Sequence, residues 1–146
     1  MKPLSLLFLM GFFVAGCTGV RPSTLGVRDG RLAPCPSTPN CVSSRDSDKG
    51  HAIEPLKFSG PAKDAMAKLK AIIQDMPRAV IVTGTENYLH AAFTSLIFRF
   101  VDDVEFYFDD AAKLVQIRSA SRLGRSDFGV NRKRTEVIRA AWEADK

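Results

Sequence analysis

The chain has 146 residues, with 21 Lys and Arg against 16 Asp and Glu, a formal charge of +5. That length supports one domain around one core, and so mild a basic excess is no nucleic-acid signature. No hydrophobic run after the first approaches membrane-spanning length, so the remainder is expected to be soluble.

The N-terminus reads MKPLSLLFLMGFFVAGC. Lys2 gives a short positive start, and the apolar run from Leu4 to Val14 is too short, at ~1.5 Å per residue, for a ~30 Å hydrocarbon core. Small residues follow, and the whole has the form of a secretory signal peptide. The quartet Val14-Ala15-Gly16-Cys17 resembles the lipobox of bacterial lipoproteins. That resemblance implies diacylglycerol on the Cys17 sulfur, cleavage before Cys17 and further acylation, with palmitate as a typical chain. One acyl chain binds a bilayer marginally and two or more hold firmly, at ~0.8 kcal/mol per buried methylene. Thr18, and not Asp, follows Cys17, and by resemblance to the sorting rule of enteric lipoproteins this implies the outer membrane, facing the periplasm, as the expected address. The rivals are an uncleaved anchor helix and a plain secretory signal with an accidental Cys.

Beyond residue 16 there are 20 basic and 16 acidic side chains, a balance of +4. Residues 17–34 read as the lipidated Cys and a flexible tether, because Gly, Pro, Ser, Thr and Arg mix without apolar periodicity. Residues 35–146 form the expected globular domain. Cys35 and Cys41 are the remaining cysteines, and in an oxidising compartment a disulfide is the expected reading. The rival is a metal site adding His51 and His90, although the spacing fits no common zinc pattern. The stretch from Cys35 to Gly50 is read as a loop, and a short strand is possible at Ile53 to Phe58.

A helix is predicted from Pro61 to Pro77, with Ala65, Met66, Leu69, Ile72, Ile73 and Met76 at helical spacing. Arg78 to Thr83 reads as a strand, followed by a turn. The period then becomes two. Leu89, Ala91 and Phe93 oppose Tyr88, His90, Ala92 and Thr94; Val104, Phe106 and Phe108 oppose Glu105 and Tyr107; Val115 and Ile117 oppose Gln116 and Arg118. Residues 96–101 form a separate strand or run into the next one, with Phe98 and Phe100 as core. A second helix follows, with the stripe Val137, Ile138, Ala141 and Trp142. The expected fold is α+β, a two-layer sandwich in β-α-β-β-β-β-α order, with a mainly antiparallel sheet and two helices on its apolar face.

Three segments, CPSTPNCVSS (35–44), FRFVDDVEFYFDD (98–110) and SASRLGRSDFGVNRKR (119–134), resemble the bacterial and plastid domain-of-unknown-function family numbered 1499. The resemblance covers Cys35 to Trp142. It implies an acidic residue soon after the His of YLHA, where this chain has Ala92, which argues against chemistry on a His–carboxylate pair. The family name implies no activity.

The third segment supplies the candidate binding residues Arg118, Ser121, Arg122, Arg125, Ser126, Asn131 and Arg132. Arginine forks beside a helix N-terminus suit an anion, and Asp127 or Asn131 is placed to cap that helix. Alternatively, these arginines pair with Asp102, Asp103, Asp109 and Asp110. His90 is the one catalytic candidate, a general base near a carboxylate and a hydroxyl. Ser43 and Ser44 lack a hydrolase elbow, no phosphate-cradling loop occurs, and Cys35 and Cys41 are too far apart for a redox pair. Asp102 and Asp103 read as a turn or bulge, short of the ligands calcium requires. No cofactor is expected. The expected function is non-enzymatic binding of an anionic ligand, lipid headgroup or protein partner in the cell envelope. The alternatives are an envelope hydrolase using His90 and a purely structural role.

Overall fold

A computed structural model of the chain describes residues 18–144. The expected signal peptide and Cys17 lie outside the described residues. Two short strands, β1 (Cys41–Ser43) and β2 (Leu56–Lys57), precede helix α1 (Ala62–Asp75). The strands β3 (Ala79–Gly84), β4 (Tyr88–Thr94), β5 (Val101–Asp109) and β6 (Leu114–Ser121) follow, and α2 (Val130–Ala144) ends the order. The sheet runs β1-β6-β5-β4-β3, with β2 also on β6, and every strand pair is antiparallel. Both helices pack on one face of this sheet, which is the expected α+β sandwich.

The core follows from the period-two pattern. Leu89, Val104, Phe106, Val115 and Ile117 are completely buried from the sheet side, and Leu69, Ile73 and Ile138 from the helices. Pro61 occupies the N-cap of α1 in an extended conformation, and Pro77 follows the last turn. The α2 stripe differs from the expectation. Its buried positions are Asn131, Thr135, Ile138 and Trp142, while Val137 and Ala141 are exposed. Buried Asn131 is admitted because its side chain is fully hydrogen-bonded.

Two further expectations are corrected. The stretch 35–50 is not all loop, since β1 pairs with β6 in the register Cys41↔Ala120 and Ser43↔Arg118. Residues 95–100 are neither a separate strand nor part of β5, which begins at Val101. They form a loop closed by Ser95, whose N–H donates to Phe100 O at 2.8 Å and whose Oγ accepts from Phe100 N at 2.9 Å. Arg99 takes a left-handed φ of 58° in this loop. The turn leaves Phe98 67% and Phe100 41% exposed, so they are not core residues.

Residues within the expected tether also touch the domain. Arg28 and Arg31 exchange both backbone hydrogen bonds around a two-residue Asp29-Gly30 turn, with φ of 50° and 68°. Leu32 is buried, and Gly26 N–H reaches the sheet.

The Cys35–Cys41 disulfide is present, with Cα atoms 5.6 Å apart. Both sulfurs are thereby consumed, which removes the thiolates that the rival metal site needs. Closing so short a loop contributes roughly 2 kcal/mol through the unfolded chain. A Cys35→Ser/Cys41→Ser variant is expected to lose about that much stability in urea titration, with the secondary structure unchanged by circular dichroism.

Candidate functional site

The face of β4, β5 and β6 opposite the helices carries charge and is nevertheless buried. His90 is 2% exposed, Asp103 1%, Glu105 0% and Arg118 6%. Ionised groups so far from water require partners. The register supplies them: His90 stands opposite Glu105, and Glu105 opposite Arg118. Arg118 Nη1 donates to Glu105 Oε2 at 3.2 Å. Tyr88 OH and Gly26 N–H both donate to Glu105 Oε1, at 2.8 and 2.7 Å. The Gly26 contact brings the N-terminal segment onto this face.

Asp103 is the second center. His90 Nε2 lies 2.8 Å from Asp103 Oδ1, and Arg122 forks onto both carboxylate oxygens, with Nε and Nη2 each at 2.8 Å. A His–carboxylate pair therefore exists even though Ala92 follows on β4, because the carboxylate comes from the neighboring strand. Burial alone would raise the Asp103 carboxyl. Hydrogen bonds from Arg122 and His90, with the Arg122 charge, overcome that effect and hold it below the usual carboxylate range. The Arg122 guanidinium is raised in turn by its bond to Asp103. Burial, then the charge and hydrogen bond of Glu105, push the Tyr88 phenol well above its ordinary value, so it stays a neutral donor.

A third network joins the core side of the sheet to α2. Asp127 caps the helix through Gly129 N–H and Asn131 N–H, at 3.0 and 2.7 Å. Asn131 does not cap. Its Nδ2 donates to Asn40 O, Ser121 Oγ and Asp127 Oδ2, and its Oδ1 accepts from Ser119 Oγ and Arg134 Nη1. Arg134 Nη2 pairs with Asp102 Oδ2 at 2.5 Å, and its guanidinium stacks over Phe93. Asp102 and Asp103 are thus strand residues on opposite faces, neither turn nor bulge.

The expected anion-binding residues do not converge. Arg118 and Arg122 are committed to Glu105 and Asp103. Ser121 and Asn131 belong to the helix-docking network. Arg132 donates to the backbone carbonyls of Ala52 and Gly50, each at 2.8 Å. Ser126 Oγ accepts from Phe128 N–H at 3.3 Å. Arg125 alone among them points outward, with no side-chain partner among the described residues. Asp109 and Asp110 pair with none of these arginines; Asp110 takes Lys113.

What the sequence reading missed is apolar. The loop 95–100 and the loop 122–129 stand together at one end of the sheet, where they line a groove of about 410 Å³. Leu96, Ile97, Phe98 and Leu123 are exposed there, and Phe128 is 96% exposed with a left-handed φ of 54°. A bulky residue in that conformation costs about 1–2 kcal/mol. The available signal was LIFRF, an apolar run that has an arginine inside it and follows an already complete strand.

A family model described as a protein of unknown function (DUF1499) matches residues 31–142. No curated protein and no solved structure matches the chain.

The Asp103 network carries a testable pH dependence. A folded-state pKa below the unfolded value of ~3.9 adds stability that is complete above that value and lost as pH falls through the lower one. Asp103→Asn is expected to cost about 3 kcal/mol at neutral pH by leaving Arg122 unpaired. Chemical denaturation from neutral pH downward should show the gap from wild type narrowing below about pH 4.

Proposed function

We propose that this chain, which belongs to the DUF1499 family of proteins of unknown function over residues 31–142, is a lipid-anchored protein of the bacterial cell envelope that acts by binding. The observation that carries this reading is the division of the surface. His90, Asp103, Glu105 and Arg118 on the sheet are buried and partnered, whereas most of the exposed large apolar side chains among the described residues gather on two adjacent loops that also carry Arg99 and Arg125.

Catalysis by His90 finds little support in this geometry. A general base needs access to the proton it removes. His90 is 2% exposed, with Nε2 occupied by an Asp103 that Arg122 also grips. Ser44 Oγ donates to Gln116 Oε1 and accepts from Ile117 N–H, so it too is a structural hydroxyl. The binding role then moves from the expected Arg118 and Arg122 to the loop end, where Arg125 remains available in the same loop as the exposed Phe128. An exposed patch of this kind marks an interaction surface more often than chance exposure does.

The anchor half of the proposal rests on VAGC at 14–17 and the apolar run before it. Among the described residues no helix is long and apolar enough to cross a membrane. On this reading attachment comes from acyl chains on Cys17. Expressed as the full precursor in a bacterial host, the wild-type chain is expected to incorporate labelled fatty acid and partition into the detergent phase of a cloud-point extraction. Cys17→Ser should abolish both. Equal labelling of the two chains would overturn the anchor reading. A His90→Ala variant, destabilised by loss of the Asp103 contact, should keep the same partitioning.

A further inference from the structure

We propose that the loop end of the domain is a membrane-docking face, which lies on the anionic surface of the same bilayer that holds the acyl anchor. The inference deepens the binding role proposed above by committing it to one partner, a phospholipid surface of net negative charge. Three independent features of the molecule support it.

The first is the kind of side chain displayed. Phe98 and Phe100 rings pack against each other with centroids 5.7 Å apart, yet both face outward, and Leu96 and Ile97 precede them at 68% and 76% exposure. Across the groove stand Leu123 and the almost fully exposed Phe128. Water-facing apolar groups gathered this densely gain by entering the boundary between headgroups and acyl chains.

The second is charge. Arg99 lies within the first apolar loop, Arg125 within the second, and Lys133 one turn into α2 beside them. All three are exposed, and none has a side-chain partner among the described residues. The one carboxylate in the two loops, Asp127, is already engaged as the cap of α2. Unpaired basic groups in the same segments as the exposed apolar ones match an anionic headgroup layer, where each Lys or Arg strengthens binding about fivefold.

The third is the path of the chain. Gly19 lies directly against the second loop: a Cβ there would come within 2.9 Å of both Arg122 Cβ and Leu123 Cγ. Its left-handed φ of 64° and the tight fit both require glycine. Cys17 is two residues earlier, within about 7 Å by chain reach. An acylated Cys17 would therefore enter the bilayer beside Leu123 and Phe128, and not from the opposite end of the sheet. Anchor and patch then bind one surface together, so each raises the effective concentration of the other.

The test uses residues 18–146, which contain every core residue found among the described residues and lack Cys17, so it is independent of whether Cys17 is acylated. Phe128→Trp places a reporter on the patch. The native Trp142, buried at the far end of α2, serves as internal reference. Ala111→Trp marks the exposed β5–β6 turn at the opposite end. With phosphatidylglycerol vesicles brominated on the acyl chains, the Phe128→Trp protein is expected to lose fluorescence and shift to the blue. Wild type and Ala111→Trp should do neither, and phosphatidylcholine vesicles should give a much weaker response. Replacing Arg99, Arg125 or Lys133 by Ala should weaken co-sedimentation with phosphatidylglycerol vesicles about fivefold each, with unchanged melting temperature. Absence of quenching at position 128, or equal quenching at 111, overturns the proposal. So does a stable dimer in solution that buries position 128, since a second copy would then be the occupant. Failure of fatty-acid labelling at Cys17 would leave these readings intact and remove only the anchor.

Discussion

Three carboxylates on one strand, Asp102, Asp103 and Glu105, are almost completely removed from water, and much of the remaining architecture answers to that fact. A buried carboxylate without a partner costs several kcal/mol, so each must meet a cation or several donors. Arg134 arrives from α2 for Asp102, Arg122 and His90 for Asp103, and Arg118, Tyr88 and the Gly26 amide for Glu105. The outer face thereby holds two acids against two arginines. This pairing fixes the register of β4, β5 and β6, the seating of α2 and the path of the N-terminal segment over the sheet.

The same pairing explains why an arginine-rich segment is not an arginine-rich binding site. Arg118, Arg122, Arg132 and Arg134 are used internally, Arg118 and Arg122 on the outer face of the sheet and Arg134 on its core side. Only residues beyond the reach of the carboxylates, such as Arg125 and Arg99, keep their charge for an outside partner. Those residues sit among exposed aromatics, so the outward chemistry of the domain is amphipathic, not purely ionic. An aromatic held in a left-handed conformation at 96% exposure adds nothing to the core. Its presence there makes physical sense when something apolar covers it.

Much of the fold was legible because the strongest local signals were periodic. Leu89, Ala91 and Phe93 alternate with polar residues, as do Val104, Phe106 and Phe108, and α1 runs between two prolines. The errors have specific causes. Phe98 and Phe100 keep a spacing of two, so they mimic a strand, and only the Ser95 closure and the positive φ at Arg99 turn them outward. Val137 and Ala141 fit an apolar helix stripe, but Asn131 and Thr135 take the buried positions through hydrogen bonds that no hydropathy pattern encodes. A polar sheet face normally faces water. Here His90 finds Asp103 across the strand, and Gly26, from a segment with no periodicity of its own, completes Glu105. Long-range partners of that kind are set by tertiary structure and leave no mark in local sequence.

The division between a sealed charged face and an open amphipathic end is most directly tested by amide hydrogen exchange on residues 18–146, with and without phosphatidylglycerol vesicles. The account predicts slow exchange at Gly26 and along β4, β5 and β6 in both states, because those amides are hydrogen-bonded under cover. Vesicles should add protection only at residues 95–100 and 122–130. Rapid exchange at Gly26 in free protein, or vesicle protection spread over the far turns at 85–87 and 110–113, would contradict it.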